Sequence, residues 1–224
     1  MKILPAARLT RPAIVLVTLL SVSGCASGLQ TGAIGGAAAG AAIGGIASGS
    51  ARGAIVGAII GGAAGAAIGS IMDRQAEDLQ DKLPNAVVER VGEGIQVTFD
   101  SGILFDVNSS NLRTAAQGNL SDLVASLEEY EGTDVLVVGH TDSTGAEDYN
   151  QSLSERRADS ARNYLIGAGL EADRVTAMGV GEMEPVDTND TEAGRQANRR
   201  VEIAIFASEE MQREMLRRHG GLAQ

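Results

Sequence analysis

From Leu112 the apolar positions recur at intervals of three and four, through Ala116, Leu120, Leu123, Val124 and Leu127. That period predicts an amphipathic helix, with Ser109 or Ser110 placed as its cap. The short continuous run Asp134 to Gly139 reads as a strand buried on both faces. A second helix follows, with Leu153, Ala161 and Leu165 on its inner stripe. It opens at Asp148, with Gln151 three residues on, or at Ser152, with Glu155 three residues on, and it stops near Gly167 to Gly169. Arg174 to Gly181 supplies another strand, a polar loop containing Pro185 runs to Asn198, and residues 199–207 form the last strand. Upstream, two β-rich runs flank Gly92, Glu93 and Gly94, a hairpin signal. The alternation predicts an α/β (α+β) domain over residues 85–206, two main helices packed on a small mixed sheet.

Outside that domain the pattern changes. Residues 1–24 combine Lys2, Arg8 and Arg11 with the apolar run Ala13 to Leu20 and a small-residue segment, the layout of a cleaved secretory leader. Val22, Ser23, Gly24 and Cys25 resemble a bacterial lipobox, so Cys25 is expected to carry lipid, with residues 25–31 as a tether and Ala26 directing the chain to the outer membrane. Several acyl chains on one cysteine give stable anchoring. From Gly32 to Met72 the only charged residue is Arg52, and glycines return every fourth position. The stretches starting at Gly32 and Gly57 match at 11 of 14 positions, an internal repeat. Fourfold spacing puts those glycines on one helix face, where backbones can approach closely. Each glycine costs a lone helix about 0.8–1 kcal/mol, so residues 32–72 are expected to form a helical hairpin that inserts in a membrane, lies on one, or self-associates. Met72, Ala76, Leu79 and Leu83 predict a short amphipathic helix over 73–84 joining two modules, ended by Pro84. The tail 207–224 pairs Glu209 with Arg213 and Glu214 with Arg218 at helical spacing, which predicts a short solvated helix.

Charge and composition narrow the function. A net charge of −11 argues against nucleic-acid partners. One Cys and two distant His residues, His140 and His219, leave no zinc constellation, and nothing calls for a cofactor.

One residue breaks the apolar pattern: Arg157 falls in the middle of the stripe of Leu153, Ala161 and Leu165. The strand at 134–139, its helix and the strand at 174–179 form a crossover unit, whose strand ends and first helical turns share one end, where open α/β sheets bind ligands. Asp142 lies just past the strand, and Arg157 is expected in the first or second helical turn, so both can flank one pocket; a helix starting at Asp148 adds Asn150 to the same face. The two charges could instead pair with each other, although half-buried pairs contribute little. A ligand carrying an ammonium and a carboxylate accounts for both, Asp142 taking the first and Arg157 gripping the second.

The segments Gly139–Gly145, Tyr149–Ala158, Gly179–Val186 and Gly194–Ile203 resemble, in order and spacing, the OmpA-like peptidoglycan-binding domain family, with "LFDVNSSNL" a looser match. The arrangement of lipobox, glycine repeat and this domain is similar to outer-membrane lipoproteins with a glycine-zipper segment. The resemblance implies non-covalent binding of meso-diaminopimelate in the peptidoglycan stem peptide. Asp142 would hold its ammonium and Arg157 its carboxylate, with Thr141, Asn150 and Leu153 lining the pocket and Arg200 in support, or paired with Glu202 instead. The expected partners are therefore the wall and the outer membrane, with self-association through the glycine repeat. Two other readings stand beside it: a scaffold assembled by that repeat, and a cell-wall hydrolase using His140, Glu147 and Asp148, for which no activated nucleophile or metal site is evident.

Overall fold

The computed structural model describes residues 65–220. The leader, Cys25, the tether and the glycine repeat up to residue 64 lie outside the described residues, as does the end of the tail.

The helix predicted over 73–84 is longer and differently used. Helix α1 runs Gly65–Lys82, across the boundary drawn at residue 72. Its stripe of Ile68, Met72, Ala76 and Leu79, with Leu83 just past its end, is almost fully buried in the main core, so it is part of the domain that follows rather than a joint before it. Periodicity shows that a helix hides a face, but not against what.

Strands β1 (Val87–Val91) and β2 (Gly94–Asp100) form the expected hairpin, Val91 facing Gly94. Gly92, at φ +56°, takes the first turn position, where a tight hairpin requires glycine. A single-turn helix α2 (Ser101–Leu104) follows, capped by Asp100 Oδ1 accepting from the Gly102 N–H at 2.6 Å. Helix α3 spans Thr114–Glu129 and buries Ala116, Leu120, Leu123, Val124 and Leu127. Neither Ser109 nor Ser110 caps it: Arg113 is the cap residue and gives no side-chain bond. Leu112 is held extended by a bridge to Phe105, and Ser109 Oγ is turned onto the Asn111 N–H at 3.0 Å.

Strand β3 (Thr133–Gly139), helix α4 (Glu147–Gly167) and strand β4 (Val175–Gly179) form the predicted crossover, β3 and β4 being parallel. Helix α4 starts at Glu147 behind Ala146, so neither predicted cap is used. Helix α5 (Glu192–Asn198) is capped by Thr191, and β5 (Arg200–Ala207) completes a sheet of order β1-β2-β5-β3-β4. The fold is thus the expected mixed α/β domain. Val135, Val137, Val201, Ile203 and Ile205 point into the core with the buried residues of α1, α3 and α4, while Leu136, Val138, Ala204 and Phe206 form a smaller cluster on the other face. The tail is helical as expected, α6 (Glu209–Gly220), but Met211 and Met215 pack on the main core, so it is only partly solvated.

Candidate functional site

Two glycines fix how α4 meets the sheet. A Cβ on Gly139 would lie 2.3 Å from the Ser154 carbonyl oxygen, and one on Gly179 2.2 Å from the Glu155 nitrogen. The ends of β3 and β4 can therefore touch the helix backbone directly. Ser154 Oγ donates to the Gln151 carbonyl and accepts from the Gly181 N–H at 2.8 Å, fastening the loop after β4 to the same helix.

The loop after β3 is held by Asn150. Its Nδ2 donates to the carbonyls of Asp142 and Thr144, each at 3.2 Å, and to Glu182 at 2.5 Å. Across the site Asn198 does similar work: its Oδ1 accepts from Val186 and Asp187, and its Nδ2 donates to Asp187 and Asn189. Asn189 Oδ1 in turn accepts from the Ser143 N–H at 3.2 Å, tying the two loops together.

Beside the loop after β3, between α4, α5 and the segment after α2, opens a cavity of about 680 Å³. Thr141, Asp142, Asn150, Leu153 and Arg157 all line it, so the structure brings together five of the six residues expected there. All five are buried. Thr141 Oγ1 has no hydrogen-bond partner among the described residues. Arg157 sits in the third turn of α4, later than expected because the helix opens at Glu147. Its Nε donates to the Ser109 carbonyl at 3.0 Å, and its guanidinium lies 5.4 Å from the centroid of the Phe105 ring. Among the described residues no carboxylate comes within ion-pair distance of it. The mutual pair of Asp142 and Arg157 is therefore not formed. Burial lowers the Arg157 pKa from its ordinary value, the direction expected of a cation removed from water.

Asp142 pairs instead with Arg199, Oδ2 to Nη1 at 2.5 Å, and Oδ1 accepts from the Thr144 N–H at 2.8 Å. Burial alone would raise its pKa, but the bonds from Arg199 and Thr144 outweigh that and hold it below the usual carboxylate range. Arg199 also reaches Glu192 Oε1 at 2.7 Å and Gln196 Oε1. Arg200, the expected support, is elsewhere. It faces the far side of the sheet in another cavity and is held by Glu202 at 2.6 Å, the alternative pairing. Buried His140 lies 3.8 Å from that same Glu202 at the end of β3.

Sequence reasoning missed Arg199 and the third wall, which comes from Phe105, Asp106, Val107 and Asn108. Asn108 at φ +56° marks the turn of that loop. A signal for the wall existed in "LFDVNSSNL", whose match to the family was loose; for Arg199 the only signal was its place beside Arg200.

Comparison with known proteins gives this geometry its context. Residues 104–199 match the OmpA family and residues 8–73 the YMGG-like Gly-zipper. The chain is 39% identical over 136 residues to the Probable lipoprotein YiaD of Escherichia coli, covering 60% of this chain and 62% of that one. It is 42% identical over 117 residues to Outer membrane porin F of Pseudomonas fluorescens, covering 52% and 35%. The chain thus spans less than two-thirds of either curated relative. Among solved structures, the cell wall anchor of the T6SS from Pseudomonas aeruginosa is similar at 34% identity and TM-score 0.54, over 61% of this chain and 97% of that one. A putative MotB like protein from Desulfovibrio vulgaris shares the fold, at 22% identity and TM-score 0.55, over 63% and 96%. With its pocket built from the matched motifs, and a YMGG-like Gly-zipper segment before it, the chain carries an OmpA family domain over residues 104–199.

Proposed function

We propose that this chain is an outer-membrane lipoprotein, lipid-anchored at Cys25, whose periplasmic domain binds peptidoglycan non-covalently through the free end of meso-diaminopimelate and so tethers membrane to wall. The observation that carries this reading is Arg157: a buried guanidinium lining a pocket, with no carboxylate partner among the described residues. Burying an unpaired charge is costly, and a ligand carboxylate removes the cost through a two-pronged hydrogen bond. The free end of diaminopimelate carries an ammonium on the same carbon, and Asp142 stands in the same pocket to take it. Thr141 Oγ1 offers a further polar contact and Leu153 an apolar one against the carbon chain, while Asn150 holds the Asp142 loop in place. The likeness to a probable lipoprotein, an outer membrane porin and a cell wall anchor supports an envelope location and a wall-binding role. The place of His140, buried beside Glu202 and away from the pocket lining, supports binding over hydrolysis.

The test is co-sedimentation of the full chain, purified in detergent, with isolated sacculi. The wild-type chain is expected to pellet with the wall, free meso-diaminopimelate to compete it off, and Asp142→Ala and Arg157→Ala to stay in the supernatant. Released muropeptides would instead identify a hydrolase, and pelleting that neither variant reduces would place wall contact outside this pocket.

A second reading, self-association through the glycine repeat, draws support from the Gly-zipper match over residues 8–73 and from α1 being helical through Gly65 and Gly69 of that repeat. Crosslinking with Gly57, Gly61 and Gly65 replaced by Leu tests it: loss of oligomer with retained wall binding makes the two functions independent.

A further inference from the structure

The two charges offered to a ligand are in unlike states. Arg157 has no carboxylate partner among the described residues, whereas the Asp142 carboxylate is already taken by Arg199 at 2.5 Å. That same guanidinium holds a second carboxylate with its other arm, Glu192 Oε1 at 2.7 Å. The two anions differ sharply in setting: Asp142 is buried, while the Glu192 side chain is 70% exposed. The other oxygen of Glu192 is fixed by Arg195 at 2.8 Å, and Arg195 Nη1 is in turn fixed to the Asn189 carbonyl at 2.8 Å. Arg199 is thus strung between a buried anion inside the pocket and an anchored anion at its rim.

We infer that Arg199 is a specificity-determining positioning residue, an internal cation that occupies Asp142 until a ligand presents an ammonium and a carboxylate together. The inference rests on the amino-acid-head reading of the pocket given above. An amine reaching Asp142 must displace or share with Arg199, and it does so facing a second guanidinium, Arg157. For an amine alone nothing offsets that repulsion. A zwitterionic head brings its own carboxylate, which satisfies Arg157 and offsets the loss at Asp142, while Glu192 keeps the released guanidinium at the rim. Specificity is a difference of affinities, and here the repulsive element against bare amines is built into the site itself. This differs from an ordinary ligand contact in sign: removing Arg199 should improve the binding of the wrong ligand.

The probe pair is meso-diaminopimelate and 1,5-diaminopentane, which keeps the carbon chain and both amines and lacks both carboxylates. Each is titrated calorimetrically into the full chain in detergent, for wild type, Arg199→Gln and Glu192→Gln. Wild type should bind the first and scarcely the second. Arg199→Gln should raise diaminopentane affinity by roughly tenfold or more, about one power of ten in Kd. Glu192→Gln removes the rim anchor and leaves Arg199 to Asp142, so meso-diaminopimelate should weaken by about three- to tenfold, on the scale of a surface charge contact. If Arg199→Gln weakens meso-diaminopimelate and leaves diaminopentane unchanged, Arg199 is a plain ligand contact and the inference is overturned; no change with either probe overturns it as well. Should Arg199→Gln fail to fold, the exposed Glu192→Gln carries the test alone, and unchanged or tighter meso-diaminopimelate binding overturns the inference. Absence of wild-type binding to meso-diaminopimelate removes the pocket reading itself, an outcome distinct from the others.

Discussion

Arg157 and Arg200 are buried to nearly the same degree, 5% and 4% exposed, on opposite sides of the sheet, and their surroundings differ in kind. Arg200 uses all three nitrogens: Nε to Glu202 at 2.6 Å, Nη1 to the Asn198 carbonyl at 3.3 Å, Nη2 to the Glu184 carbonyl at 3.2 Å. Arg157 has one carbonyl on Nε and an aromatic face. The first is a closed set of bonds that belongs to the fold, and the second is an open one that asks for an anion. Burial of a charge alone does not separate structure from function; what its hydrogen bonds leave over does.

The severest way to break the comparison is to remove part of the main core behind the sheet. A chain starting at residue 85 loses Ile68, Met72, Leu79 and Leu83, all essentially fully buried. At about 1.5–3 kcal/mol for each such side chain, the loss is comparable to the whole stability of a typical domain, about 5–15 kcal/mol. Circular dichroism and thermal melts should find the 85–224 fragment without a cooperative transition and the 65–224 fragment with one; a cooperative 85–224 fragment would make α1 an accessory.

Next come the arginines themselves. Arg200→Ala strands the buried Glu202 and should cost about 3–5 kcal/mol of stability in a denaturant titration. Arg157→Ala strands no carboxylate and should cost no more than about 1–2 kcal/mol, the loss of a hydrogen bond and a cation–π contact. Ligand affinity should show the reverse, falling tens to thousands of fold for Arg157→Ala and little for Arg200→Ala. Equal stability losses would collapse the distinction.

A half-buried acid on β3 sharpens the same rule. Half-buried Asp134 has its pKa raised to about 6, by burial first, with Asp173 and Glu209 adding to it against Arg174. The folded state therefore takes up this proton at higher pH than the unfolded chain does, so the residue lowers stability above about pH 6 and the penalty vanishes as pH falls below about 4. After discounting for solvent screening, Asp134→Asn should stabilise by about 1 kcal/mol at pH 8. Melts of the pair should converge near pH 4, and a gain independent of pH would exclude the charge as its cause.

The smallest effect serves as a control remote from both arginines. Gly118 lies exposed in α3, and a Cβ there meets nothing within 4 Å. Gly118→Ala should add about 0.5–1 kcal/mol and leave ligand affinity unchanged.

Much of this was written in the chain order. The crossover β3-α4-β4 follows from a buried apolar run, a helical period and a second run, because right spacing leaves few ways to hide those faces. That crossover in turn puts Asp142 and Arg157 at one end, which is why five of the six expected pocket residues meet there. Helix starts were less legible: Ser109 and Ser110 look like caps, but the bridge of Phe105 to Leu112 holds the chain extended past them. Only the tertiary structure could decide which of two adjacent arginines enters the pocket. Arg199 ends α5 and Arg200 begins β5, and side chains alternate across a strand, so a single step in register exchanges them. It alone also decided that α1 joins the core and that Phe105 and Ser109 close on Arg157 from nearly fifty positions away. Apolar period fixes which face a segment must hide, because that is a property of neighbouring residues; what covers the face, and what a buried charge finds there, depends on segments that only folding brings together.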